Sequence, residues 1–134
     1  MKKIVLYASL TMILFSCVTT TTKTKDPIIG NVEILQSGLR QLVPAKGYNL
    51  SGAEISTNGK ITSELEVRIS DGQSVPSDPA GIKALGQKIG KLVKSSLTDT
   101  GSYDIYKVMF YKTTESESVT KRDMVGQVFT SAEL

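Results

Sequence analysis

Between Pro79 and Leu97 the apolar residues Ile82, Leu85, Ile89, Leu92, Val93 and Leu97 recur at spacings of three, four and one. This places them on one stripe of a 3.6-residue helix and predicts a helix over about 79–97. Asp78 can cap it by accepting from the first free N–H groups, and Pro79 suits the first helical position, where its missing N–H costs nothing. Gly86 and Gly90 border the stripe and mark points where the helix backbone comes close to a sheet, since each otherwise costs up to about 1 kcal/mol against Ala. Upstream, Asn58-Gly59 signals a two-residue hairpin turn because both residues tolerate positive φ. Around it, partners have numbers that sum to 117, so Leu50 faces Val67, Tyr48 faces Ile69 and Gly52 faces Leu65, while Glu64, Glu66 and Arg68 share the other face. The register predicts one buried and one wet face.

After the helix, residues 102–112 are rich in Tyr, Ile, Val, Met and Phe on both parities, as a central strand should be. The polar run TTESESVTKR reads as a loop, and residues 123–130 as a closing strand. Residues 28–43 are ambiguous: Ile28, Val32, Leu35, Leu39 and Leu42 have helical spacing, yet Gly30, Gly38 and the β-branched residues favour a strand at NVEILQS. The expected fold is a small two-layer α+β domain, one main helix on a mostly antiparallel sheet of four to five strands, spanning 27–134.

The chain's start has a different plan. Lys2 and Lys3 precede an apolar run from Ile4 to Phe15, and the small Ser16 precedes Cys17, the sole cysteine. This is the layout of a secretory leader; the run is shorter than the ~20 apolar residues a spanning helix needs. Leu14, Phe15, Ser16 and Cys17 resemble the lipobox of bacterial lipoproteins, with Phe15 bulkier than usual there. The resemblance implies cleavage between Ser16 and Cys17, lipid on the Cys17 sulfur and amino group, and anchoring in a membrane. Residues 1–16 are then a removed signal peptide, and residues 17–26, VTTTTKTKD included, a flexible Thr-rich tether reaching ~30 Å. Val18, in place of the Asp that retains enterobacterial lipoproteins in the inner membrane, resembles the outer-membrane class, and no acidic cluster marks the chain for the cell surface. An outer-membrane, periplasm-facing position is the expectation. The hairpin, capped helix, YDIYKVMFY strand and VFTSAEL end also resemble, in a general way, small envelope lipoproteins of the Bacteroidetes type, which carry no catalytic motif to transfer.

Charge and composition narrow the chemistry. Loss of Lys2 and Lys3 from 16 basic side chains leaves 14 against 13 acidic ones, a formal charge of +1, so the basic pI belongs largely to the leader. Nucleic-acid binding, which needs clustered positive charge, loses its support. Without histidine, and with Cys17 consumed by lipid, the chain has no Ser-His-Asp or Cys-His nucleophile system and no His/Cys zinc site. No cofactor or metal is expected.

Four patterns remain. Glu64 and Glu66 project from one strand face roughly 7 Å apart, near the span of an inverting glycosidase pair, but no tryptophan is present as a sugar platform and a solvated strand face is the simpler reading. Ser118 and Lys121 match S-x-x-K without its companion motifs. Asp71 and Asp78 suit turn and cap chemistry better than a calcium loop. Lys83, Lys88, Lys91 and Lys94 lie on the helix with no acid between Pro79 and Thr98; an ordinary wet face explains them, and an anionic partner is the functional alternative. The expected function is therefore a lipid-anchored, non-catalytic accessory or interaction subunit of a membrane-associated assembly, held through Cys17 and bound to an envelope protein. A small-ligand lipoprotein binding peptide, lipid or glycan is the alternative, and a carboxylate hydrolase comes third.

Overall fold

A computed structural model describes residues 17–134; the leader and Ser16 lie outside the described residues. The elements run β1 (Thr20–Thr24), α1 (Val32–Leu42), β2 (Gly47–Thr57), β3 (Lys60–Ser70), α2 (Pro79–Ser96), β4 (Ile105–Ser116), β5 (Val119–Thr130) and a 3-10 turn at Ser131–Glu133. All five strands form one sheet in the order β1-β2-β3-β4-β5. Every neighbouring pair is antiparallel except β3 and β4, which are parallel. The fold is a small α+β domain with a mostly antiparallel sheet, as the periodicity predicts.

The β2–β3 hairpin keeps the predicted register, with Leu50 opposite Val67, Tyr48 opposite Ile69 and Gly52 opposite Leu65. Asn58 and Gly59 both take positive φ, 50° and 80°. Helix α2 also matches: the Asp78 carboxylate accepts from the Gly81 N–H at 2.7 Å. Gly86 faces Phe129 of β5 and Gly90 faces Leu134, each within contact distance of a built Cβ. The close approach expected at both positions is present.

A parallel pair cannot be joined by a tight turn, so the chain must cross over between β3 and β4, and α2 is that crossover. It lays Ile82, Ile89 and Val93 against Leu65, Val67 and Ile69 of β3, Tyr106, Val108 and Phe110 of β4, and Phe129 of β5, all buried in one core. Each such side chain contributes about 1.5–3 kcal/mol.

Residues 28–43 depart from the expected strand. Asn31 accepts from the Ile34 N–H at 3.0 Å and caps α1, whose Leu35 and Leu39 enter the core. The edge beside β2 is already occupied by β1, and as a helix the segment buries Leu35 and Leu39. Gly38, counted against a helix, is where α1 meets Leu92 of α2. Burial of two leucines outweighs a propensity cost of about 1 kcal/mol for glycine. The polar run TTESESVTKR is not a loop either: β4 and β5 continue through it to a two-residue turn at Glu117 and Ser118, with Ser116 opposite Val119.

The expected tether is the third correction. Residues 20–24 form β1, an edge strand whose side chains are all exposed. Threonine's branched Cβ suits strands, and Lys25 fastens the segment. Its Nζ donates to the Ser102 carbonyl at 2.9 Å and to the Ser63 hydroxyl at 3.2 Å, and pairs with Glu54 at 3.3 Å. Its carbonyl accepts from the Tyr103 hydroxyl at 2.6 Å, and its backbone N–H donates to the Gly52 carbonyl at 2.9 Å. A Cβ at Gly52 would collide with both the Lys25 carbonyl and the Tyr103 ring. Gly52→Ala is expected to destabilise by about 1–3 kcal/mol and to raise hydrogen exchange selectively in residues 19–25; unchanged exchange there would show that β1 does not depend on this knot.

At the other end of β3, Asp71 joins the two central strands. Its N–H donates to the Tyr111 carbonyl at 2.8 Å, its Oδ1 accepts from the Thr113 N–H at 2.7 Å, and Lys46 lies 3.6 Å from its Oδ2. The Thr113 backbone N–H, helped by Lys46, holds this carboxyl below the usual range. A depressed folded pKa means stability that is present above the unfolded value near 4 and lost as pH falls through the folded one. Urea midpoints of the wild type should therefore drop more steeply below about pH 4 than those of Asp71→Asn; parallel curves would refute the role.

Candidate interaction surface

Both helices pack on one side of the sheet, which leaves the opposite side bare. That open face presents Glu64, Glu66 and Arg68 from β3, Ile105, Lys107, Met109 and Tyr111 from β4, and Arg122, Met124, Gly126 and Val128 from β5, as the strand registers require. Its β3 side is charged but internally neutralised. Glu64 pairs with Lys107 and Glu66 with Arg68, so the two carboxylates considered as an acid/base pair are each occupied by a cation on an uncovered face. No cleft rises between them.

Its β5 side is apolar. Met124 and Val128 are 58% and 59% exposed, well above the half-buried Tyr111 and Met109 beside them. Gly126 lies between Met124 and Val128, and the Met109 sulfur fills the space a side chain would take there. The result is an apolar strip in which Met109 lies over Gly126 between Met124 and Val128.

The remaining candidates are placed as follows. Ser118 sits in the β4–β5 turn, and Lys121, its S-x-x-K partner, pairs with Asp123 at 3.0 Å; the two are not brought into a nucleophile-base contact. Asp71 and Asp78 perform the turn and cap chemistry described above. Lys83, Lys88 and Lys91 are exposed on α2, whereas Lys94 is half-buried and donates to the Ser131 carbonyl at 2.6 Å. The fourth lysine thus holds the C-terminal turn and is withdrawn from the free cationic face. Cys17 is exposed, and Thr19 and Asn58 exchange hydrogen bonds, which puts the cysteine beside the β2–β3 turn.

Hollows among the described residues are shallow. The most apolar, between Gly72, Val75, Phe110, Met124 and Val125, encloses about 140 Å³, below the ~300–1,000 Å³ of a typical ligand pocket. Another, about 460 Å³, is an open trough along α1 over Glu33, Ile34, Ser37 and Gln41. No helix among the described residues is long and apolar enough to cross a membrane.

Sequence reasoning placed the glutamates on the wet face but missed the apolar strip. Met124 and Val128 have i, i+4 spacing on a strand, hence one face, but only the sheet order shows that nothing covers them. Compared with protein families, curated proteins and solved structures, the chain has no match.

The cationic face of α2 gives a direct test. If it meets an anionic surface, Lys88→Glu with Lys91→Glu should weaken binding to anionic vesicles at low salt by at least about 2 kcal/mol, on the order of thirtyfold. Equal binding would mark it as an ordinary solvated face.

Proposed function

We propose that this chain is a lipid-anchored protein of the gram-negative envelope that acts as a non-catalytic interaction subunit, with the open sheet face as its contact surface. The observation that carries this reading is the apolar strip of Met109, Met124 and Val128 beside neutralised charges on a sheet face with no helix over it. Apolar patches rimmed by polar groups mark surfaces that meet other molecules.

The leader and Cys17 supply the address, and β1 sharpens it. Only Val18 and Thr19 separate Cys17 from the first strand, about 10 Å of extended chain. Lipid on Cys17 would hold the domain close to the bilayer with the β2–β3 turn inward, instead of on a ~30 Å leash. The β4–β5 turn, at the opposite end of the strands, would point away from the membrane.

Crosslinking in intact envelopes, with Cys17→Ala as control, tests both parts. The expected result is a stoichiometric protein adduct through β4 and β5 that is lost when Cys17→Ala releases the chain from the membrane. Retention of Cys17→Ala in the membrane would refute lipidation, and enrichment of lipid or glycan in place of protein would make the chain a ligand carrier.

A further inference from the structure

The outer edge of β5 has a definite hydrogen-bonding pattern. Ser131 N–H donates to the Asp104 carbonyl at 2.8 Å, and Ile105 lies opposite Thr130. An antiparallel ladder alternates from there, so odd-numbered residues of β5 bond to β4 and the N–H and C=O groups of Arg122, Met124, Gly126 and Val128 point outward. Thr130 would continue the row, but its N–H donates to the Glu133 carboxylate at 2.6 Å. The free edge therefore stops after Val128.

Edge strands are usually blunted by charge, proline, bulges or shortness. Here Lys121, Arg122 and Asp123 guard the first half, while residues 124–130 carry no charge and no proline. β5 is 12 residues long against five for β1. The outer edge of β5 is thus the sheet's exposed pairing surface.

We infer that this edge pairs with the same edge of a second copy, antiparallel about a two-fold axis through Gly126. Reciprocal bonding demands outward groups opposite outward groups, so the axis must pass through a residue of β5 and not between two. Charge selects which one. With the axis at Gly126, Met124 lies opposite the partner's Val128, and Arg122 opposite the partner's Thr130, where the Glu133 carboxylate sits. Arg122 makes no ion pair within the chain among the described residues, and this register gives it one at both ends of the interface. Axes at Met124, Val125, Gln127 or Val128 set Arg122 opposite the partner's Gly126, Val128, Ala132 or Leu134, and not opposite Thr130. The glycine on the axis adds no side chain of its own to the crossing, where Met109 already covers the backbone. The two apolar strips then merge into one patch across a ten-stranded sheet.

The pairing adds a second copy along the edge that borders the contact surface proposed above and enlarges that surface; it rests on that reading and not on the lipid. Its test uses the full chain in native envelopes. Val125 and Gln127 are opposite each other across the axis as a non-hydrogen-bonded pair, with Cα atoms ~4.5 Å apart, within disulfide range. Val125→Cys with Gln127→Cys should give, on mild oxidation, a species of twice the chain mass that contains only this chain and exceeds the wild-type background severalfold. Adding Val128→Pro removes one outward N–H without touching the bonds to β4, and should return the yield to background. Arg122→Glu should lower it severalfold, and Glu133→Lys alongside should restore part of the loss. A monomer, or dimer yield insensitive to Val128→Pro, would overturn the pairing. A different protein crosslinked at this edge would overturn the pairing but keep the interaction reading, and absence of any protein would count against both.

Discussion

The parallel pairing of β3 with β4 is the constraint on which the rest of the molecule depends. Every other neighbour in the sheet can be reached by a short antiparallel connection, but this one needs a crossover. The crossover is α2, and its apolar stripe must be buried on the sheet. That puts Ile82, Ile89 and Val93 over β3, β4 and β5 and draws α1 to the same side, where Leu35 and Leu39 join the core. Two helices fill one face. The other face is left bare by the same topology, so the exposed apolar strip is a by-product of how the core closes.

Charges on that bare face are arranged to be quiet. The Glu64–Lys107 and Glu66–Arg68 pairs contribute little to stability, since exposed ion pairs contribute about 0–1 kcal/mol. Their effect is to leave the β3 side without a net field, and Arg122 of β5 is the charge on this face that they do not neutralise. Polar work of a different kind is done at the sheet's β1 edge, where Lys25 satisfies the Ser102 carbonyl and Ser63 hydroxyl in a half-buried site. That knot turns a segment with no buried side chain into an ordered strand, and it leaves only Val18 and Thr19 between Cys17 and the sheet.

Much of the fold was legible because short-range rules governed it. The period of α2, its Asp78 cap, the Asn58-Gly59 turn and the hairpin register all depend on residues within about twenty positions of one another. The errors share one cause: each segment's conformation was decided by a distant partner. VTTTTKTKD carries no apolar pattern, and becomes a strand through bonds to Gly52 and Ser102. NVEILQS carries strand-prone residues, and becomes a helix that buries Leu35 and Leu39 in the core built by α2 and the sheet. TTESESVTKR is polar enough for a loop, yet each strand of the hairpin extends because the other supplies its ladder.

The candidate site divides in the same way. From the sequence alone came the leader-like pattern that ends at Cys17, the lack of histidine, the lysines of α2 and the common face of Glu64 and Glu66, because composition and spacing are local properties. Which lysine was withdrawn to Ser131, which carboxylates were neutralised, and which side of the sheet stayed uncovered were decided only by the tertiary structure. Exposure of Met124 and Val128, and the outward row of N–H and C=O groups beside them, depends on what the rest of the chain does not cover, and no local pattern encodes that.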